Sequence, residues 1–174
     1  WAYCLMDNHM HFLGVPEQEE SLARSFGCTS LMYTQRVNRE QQRSGRLWQN
    51  RFFSCPVEQN GYLVPVLRYI KQNPVRAGLV KQAWDHAWSS ARSRLTRAPD
   101  PLLDTPDRLD RQLEAIGYKK YLMQTSPDEE AELRSKTRTG RPLGGTGFTA
   151  VLESNLGRVL AARRPGRPQR KSEK

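Results

Sequence analysis

The chain lacks any apolar run approaching the roughly 18 residues that a membrane-spanning helix needs, and no secretory apolar region opens it. A membrane protein is excluded on that reading, and export has no visible signal. Cysteine is scarce: Cys4, Cys28 and Cys55, an odd count without C-x-x-C spacing. That argues against a disulfide scaffold or a zinc ribbon and suits a reducing cytoplasm. Histidine is equally scarce, three in 174 residues, and no Walker phosphate-binding motif is found. Acid is in deficit, with 18 Asp+Glu against 28 Lys+Arg and a net charge of +10. What is present is enough for one domain, or one domain and a tail. Hydrophobic residues make up 37%, which is polar for a globular chain, yet aromatics are available to seed a core.

The charge is unevenly placed. Residues 1–99 carry 13 basic and 7 acidic residues, 100–133 carry 4 and 9, and 134–174 carry 11 and 2. Composition therefore divides the chain into a folded part at 1–98, an acidic helical extension at 99–138, and a basic Gly/Arg/Pro-rich tail at 139–174. A solvated tail of this kind gains affinity for a polyanion through phosphate contacts and counterion release. Nucleic acid is the leading partner class. A membrane surface is not favoured, because no basic amphipathic helix with bulky apolar anchors appears.

Periodicity gives a coarse map. Residues 1–13 read as a strand ended by Gly14 and Pro16, and 18–44 as a long polar helix. Residues 46–54, with aromatics on both faces, read as a second strand. Asn60 is a candidate N-cap for a helix over about residues 61–72, whose stripe is Leu63, Val66, Leu67 and Ile70. Asn73-Pro74 is expected to stop it, because a residue before proline avoids the helical region. Trp84, Trp88 and Ser89-Ser90 read as packing loop and a short helix start. Helices are then predicted from Thr105-Pro106, from the capping-box pattern Ser126-Pro127-Asp128-Glu129, and from Thr149 to Arg163. Four glycines mark a linker at 139–147.

Two groups of residues can do chemistry. Strand alternation puts the imidazoles of His9 and His11 on one face with Met10 on the other, so the pair can hold one divalent metal. The plainer alternative is two unrelated polar side chains on a wet face. Tyr69 and Asn73 stand one helical turn apart. Tyrosine can serve as a nucleophile, and an asparagine carbonyl can ligate Mg²⁺ or Mn²⁺. The plainer alternative is a half-buried helix residue and a helix terminator.

Together these parts resemble the HUH endonucleases. The surrounding words narrow the resemblance to the REP-associated tyrosine transposases, relatives of the small single-tyrosine insertion-sequence transposases. Those words are Tyr3-Cys4-Leu5-Met6-Asp7-Asn8-His9-Met10-His11-Phe12-Leu13, Gly45-Arg46-Leu47-Trp48-Gln49-Asn50-Arg51-Phe52, Arg68 through Val80 around Tyr69 and Asn73, and Trp88-Ser89-Ser90. They cover about residues 1–95. The resemblance implies Tyr69 as nucleophile, His9, His11 and Asn73 as ligands of Mg²⁺ or Mn²⁺, and cleavage and rejoining of single-stranded or hairpin DNA through a 5′-phosphotyrosine. It implies no small-molecule substrate, and monomer and dimer both stay open. Two departures stand out. Asp7 occupies a position where the family usually has proline, and no strand and helix precede the histidine strand. An unpaired sheet edge or exposed apolar surface near residues 1–13 or 46–54 is therefore expected. The implied fold is α+β: an antiparallel, ferredoxin-like sheet with helices packed on it, then an irregular helical tail.

Arg51, Arg68, Lys71 and Arg76 cluster around these words as candidate phosphate contacts, and Trp48, Phe52 and Phe53 as candidate base-stacking rings. Arg141 and Arg167 sit in two Gly-Arg-Pro cores of the kind that can lie in a minor groove. The alternative function is a catalytically inactive or domesticated DNA-binding protein derived from such a transposase.

Overall fold

The computed structural model describes residues 1–104 and 107–161. Within them the fold is α+β. Strands β1 (Ala2–Leu5) and β2 (Met10–Leu13) form an antiparallel hairpin, in the register Ala2↔Leu13 and Cys4↔His11. Helices follow: α1 (Ser21–Glu40), α2 (Gln59–Arg76), α3 (Ala91–Thr96), α4 (Asp107–Ala115), α5 (Tyr118–Leu122), α6 (Pro127–Thr139) and α7 (Thr146–Leu156), with a 3₁₀ turn at Ala83–Asp85.

The run expected as one strand is thus two. The Met6 amide donates to the His9 carbonyl at 2.8 Å and folds the chain back around Asp7-Asn8. Both are good turn residues, because their short polar side chains bond local backbone. Alternation then sorts the hairpin's side chains. Ala2 and Cys4 are buried beneath α2, while Met10 and Phe12 face out, 36% and 47% exposed.

Helix α2 is the centre of the molecule, packing on both strands, the 3₁₀ turn, α5 and α6. Its stripe, Leu63, Val66, Leu67 and Ile70, is buried as the period predicts. Leu67 alone, wholly enclosed, is worth roughly 1.5–3 kcal/mol of transfer free energy. Asn60 and Gly61 have non-helical dihedrals, and Gly61 takes φ +83°, so regular helix starts at Tyr62. Pro65 therefore falls near the start of the helix, where proline is least disruptive.

The expected stop at Asn73-Pro74 does not occur: the helix runs on to Arg76. Pro74 has no N–H for the Ile70 carbonyl. The Asn73 side-chain amide supplies the missing donor, bonding the Ile70 and Tyr69 carbonyls at 3.1 Å each. Arg76 adds a bond to the Tyr69 carbonyl at 2.9 Å.

Residues 46–54, expected as a strand, form bends and turns without a ladder. A strand needs a paired neighbour, and among the described residues nothing pairs with the outer edge of β2. Phe52 and Phe53 remain 46% and 62% exposed, while Trp48 leans on α1, its indole donating to the Ser30 carbonyl at 3.2 Å. The expected combination of an unpaired edge and exposed apolar surface is present. The other edge, along β1, is covered by residues 88–90 through Leu5 N to Trp88 O and Ser90 N to Tyr3 O.

The later helices close over α2 from the far side. Leu109, Leu113, Tyr118, Leu122, Leu133 and Leu143 join its core. The start of α4 expected at Thr105-Pro106 lies outside the described residues. Ser126 stands at the N-cap of α6 as predicted, with Pro127 in the first turn, but its hydroxyl makes no capping bond. A parallel bridge between Val57 and Leu143 clips the chain after α6 to the chain before α2.

Candidate active site

The site forms where β2 crosses α2. His11 lies on the inward face of β2, opposite Cys4. His9 lies just before β2, at the closing position of the hairpin turn. Their rings meet edge to face with centroids 4.9 Å apart. The His11 ring continues edge to face onto Tyr69 at 5.7 Å. The Arg76 guanidinium lies over the Tyr69 ring at 4.3 Å, a cation–π contact. His9, His11, Tyr69 and Arg76 thus form one continuous file, with Asn73 alongside.

Each imidazole has a defined state of bonding. His9 Nδ1 is 2.6 Å from the Asn8 side-chain oxygen. That oxygen can only accept, so Nδ1 is the donor, which turns Nε2 away from Asn8, the orientation of a metal-ligating histidine. His11 Nε2 is buried without a hydrogen-bond partner. Burial first, then the neighbouring His9 and the Arg76 charge, lower the His11 pKa from 6.5 to about 4, opposed weakly by the Asn73 amide. The ring is therefore neutral at pH 7. Two imidazoles whose rings meet, one of them neutral with an unpartnered nitrogen, fit a divalent cation. Among the described residues no third His, Cys, Asp or Glu joins them.

Asn73 fits less directly. Its Nδ2 is engaged by the helix carbonyls, and its Oδ1 accepts from Arg76 at 2.8 Å. The oxygen that would ligate a metal is satisfied by an arginine. Tyr69 itself is covered, 9% exposed. Beside it a cavity of about 110 Å³ is lined by Tyr62, Arg68, Tyr69, Glu129, Glu130 and Leu133.

The candidate phosphate contacts separate. Arg76 is at the site, with burial pulling its pKa down and Glu130 pulling it back up. Arg51 is exposed on the 46–54 segment. Arg68 and Lys71 need correction. Arg68 is buried, ion-paired to Glu129 and stacked over the Tyr121 ring at 4.4 Å. Lys71 is wholly buried with its ammonium over the Tyr118 ring at 4.9 Å, so it cannot meet a phosphate in this structure. On a helix packed from both sides, residues within a single turn point to opposite faces, and sequence spacing alone does not say which face is covered. Arg141 is half-buried. Its backbone amide closes the C-terminus of α6 on the Lys136 carbonyl, after Gly140 in the left-handed conformation. The first Gly-Arg-Pro core is thus part of a packed turn rather than an extended strand. Arg167 and the second core lie outside the described residues. Trp48 packs on α1, which leaves Phe52 and Phe53 as the exposed rings of the three.

Three residues at the site were not anticipated: Asn8, Glu129 and Glu130. Glu129 had been read as the capping-box acid of α6, and instead it reaches across to Arg68.

Comparison with known proteins bears on residues 1–73, which match the family described as "Transposase IS200 like". The matched segment runs through both histidines, Tyr69 and Asn73. The chain is also 28% identical over 99 residues to a Haemophilus influenzae protein named as a REP-associated tyrosine transposase, covering 51% of this chain and 56% of that one. It thus spans a little over half the length of that relative. No solved structure matches with significance. Residues 1–73, which carry His9, His11 and Tyr69, thus match the IS200-like transposase family, and about half of the chain is similar to a REP-associated tyrosine transposase.

Proposed function

We propose that this chain acts in DNA transposition or in the processing of repeat elements, cleaving and rejoining single-stranded or hairpin DNA. The observation that carries the reading is the contact sequence His9–His11–Tyr69, two imidazoles and a phenol in one file at 4.9 and 5.7 Å. Tyr69 attacks the scissile phosphorus in line. The phenol gives up its proton, the bond to the 3′ oxygen breaks, and that oxygen leaves as a 3′-OH, so the phosphodiester energy is kept in a 5′-phosphotyrosine. A second 3′-OH reverses the step and joins new ends, with no need of ATP. Arg76, against the Tyr69 ring, offers a positive charge to the phosphate. His11, neutral, presents a lone pair in a water-poor setting. His9 and His11, with Asn73 if its oxygen were released by Arg76, would hold a divalent cation, Mg²⁺ or Mn²⁺, which would supply charge stabilisation at the phosphoryl oxygens.

The test is covalent capture of a 3′-labelled single-stranded oligonucleotide. Tyr69→Phe abolishes the adduct and leaves noncovalent binding nearly intact. His9→Ala and His11→Ala remove cleavage and blunt its dependence on Mg²⁺ or Mn²⁺. An adduct that persists in Tyr69→Phe moves the nucleophile elsewhere. A second reading, a DNA-binding protein without cleavage, is favoured by one observation, the Asn73 oxygen held by Arg76. It predicts binding without adduct in the unaltered chain.

A further inference from the structure

A second cavity lies between the C-terminal turn of α6 and the turn that follows α7. Its volume is about 450 Å³, enough for a nucleotide-sized group. Arg141 lines it from the α6 side and Arg158 from the α7 side, and no Asp or Glu lines it. Among the described residues neither guanidinium has an ion-pair partner. The Thr139 hydroxyl, also at the wall, is committed to the Ser135 carbonyl at 2.8 Å, so the two guanidiniums are the free side-chain donors. The rest of the wall is glycine and aliphatic, with Val159 and Leu160 among it.

Both arginines stand on fixed backbone. Beside Arg141, the Leu143 amide bonds the Pro56 carbonyl at 2.8 Å and its side chain is buried. After α7, Gly157 turns the chain with φ +59°, and the Arg158 amide bonds the Glu153 carbonyl at 3.3 Å. The Glu153 carboxylate accepts from the Leu160 and Ala161 amides at 2.7 and 3.3 Å. The acid closest to Arg158 in sequence is thus spent on backbone and not on the guanidinium. Two like charges held on one cavity repel each other until an anion joins them, and two planar guanidinium forks match the oxygens of a phosphate. No aromatic ring lines the cavity, so it offers an unstacked base no platform. It suits the backbone of a paired strand, whose bases are turned away. Along α6, Thr139 is about 14 Å from Glu130, which lies beside Arg76 at the nucleophile. Duplex DNA covers that length in about four base-pair steps.

We propose that this cavity is a second DNA site, in which Arg141 and Arg158 together grip one backbone phosphate in the paired arm of a hairpin, away from the cleaved bond, and so set the register of the hairpin on Tyr69. The inference rests on the reading of the chain as a DNA-processing protein.

The test uses the full chain and a fluorescent DNA hairpin, with binding read by anisotropy in EDTA, which holds cleavage off. Hairpins in which one stem phosphate at a time is replaced by a neutral methylphosphonate should show, with the unaltered chain, a loss of about tenfold at one stem position. Arg141→Gln/Arg158→Gln should bind the unmodified hairpin about tenfold more weakly, with a log–log salt slope shallower by about 0.9, and should no longer register the replacement at that position. Arg24→Gln/Arg111→Gln makes the same change in net charge at two exposed arginines elsewhere. It should lose less than about twofold and keep the position-specific loss. Equal losses in the two variants, or a scan without a preferred stem position, overturn the proposal. So does an Arg141→Gln/Arg158→Gln effect as large on an unpaired oligonucleotide as on the hairpin, which would make the ligand a single strand. Inorganic pyrophosphate that raises the melting temperature of the unaltered chain but not of that variant, beside a flat scan, would assign the cavity to a free anion instead. Adduct formation with metal restored is scored separately on the unaltered chain, so loss of the cleavage reading and loss of the stem contact are told apart.

Discussion

At the scale of single residues, His11 and Lys71 are both titratable groups enclosed without a hydrogen-bond partner, and pH reaches them differently. The His11 pKa, about 4 in the fold against 6.5 ordinarily, means that the unfolded chain binds its proton over that interval and the folded chain does not. Stability contributed by this residue is present above pH 6.5 and is lost as pH falls toward 4. A thermal-denaturation series across that range should show the decline, and His11→Gln should flatten it. A His11 resonance titrating near 6.5 would contradict the burial argument. Lys71 also has its pKa lowered well below its usual value, by burial first and then by Arg94, with Asp110 opposing. Here too the unfolded chain holds more proton, so this contribution grows as pH rises toward the ordinary lysine range. Lys71→Met, of similar volume, removes a costly buried ammonium. It should raise the urea midpoint, by an amount equivalent to about 1–2 kcal/mol, and leave DNA affinity unchanged. A fall in affinity would restore Lys71 as a phosphate contact. The sequence presented Lys71 as one more cation beside Tyr69. Only the packing of α4 and α5 against that side of α2, decided by Leu109, Leu113 and Leu122 some forty to fifty residues away, shows it is enclosed.

At the scale of elements, the passage of α2 through Pro74 rests on a side chain. Asn73 donates to the carbonyl that Pro74 leaves bare. Asn73→Ala should therefore cost about 1–2 kcal/mol in equilibrium unfolding. In a Pro74→Ala background the backbone N–H returns and the cost should shrink. A double-mutant cycle with no coupling would show that Asn73 stabilises by another route. Much of this element was legible in the sequence. The apolar stripe, the tolerance of Pro65 near the start of the helix, and the closeness of Tyr69 to Asn73 all follow from a 3.6-residue period. The run past Asn73-Pro74 was not legible, because the rule that proline ends helices assumes no other donor for the freed carbonyl. The hairpin was half legible: alternation puts both imidazoles on one face, and their rings do meet, while the turn at Asp7-Asn8 is masked by the apolar residues that flank it closely. The strand expected at 46–54 failed for a non-local reason. Aromatic composition suits a sheet, but a sheet requires a neighbour, and a neighbour cannot be read from the segment itself.

At the scale of the whole molecule, charge is segregated between surface and end. Residues 162–174 carry six basic residues and one acid, a net charge of +5. Their removal should weaken DNA binding and make its dependence on salt shallower, by about 0.7 in log–log slope for each lysine or arginine that contacts a single strand. Single-turnover cleavage at saturating oligonucleotide should persist, since His9, His11, Tyr69 and Asn73 all precede residue 74. Binding titrations at several salt concentrations, run beside the cleavage assay, separate the two effects. An unchanged slope would mean that these cations do not touch phosphate. A longer deletion from residue 134 is a different experiment, because it removes half of α6 and the buried Leu143 that ties residues 56–58 to the fold.

The free outer edge of β2 also governs how the protein behaves in a test tube. Its amides and carbonyls, unpaired among the described residues, lie next to Met10 and Phe12, both partly open to water, and such an edge templates strand addition between molecules. Concentrated samples should therefore scatter light with a dependence on protein concentration steeper than first order. A single gatekeeper charge, Phe12→Lys, should suppress this while the inward side of the strand, His11 included, is left as it is. Crystallographers and enzymologists working with this chain would then have a soluble form whose site has not been touched.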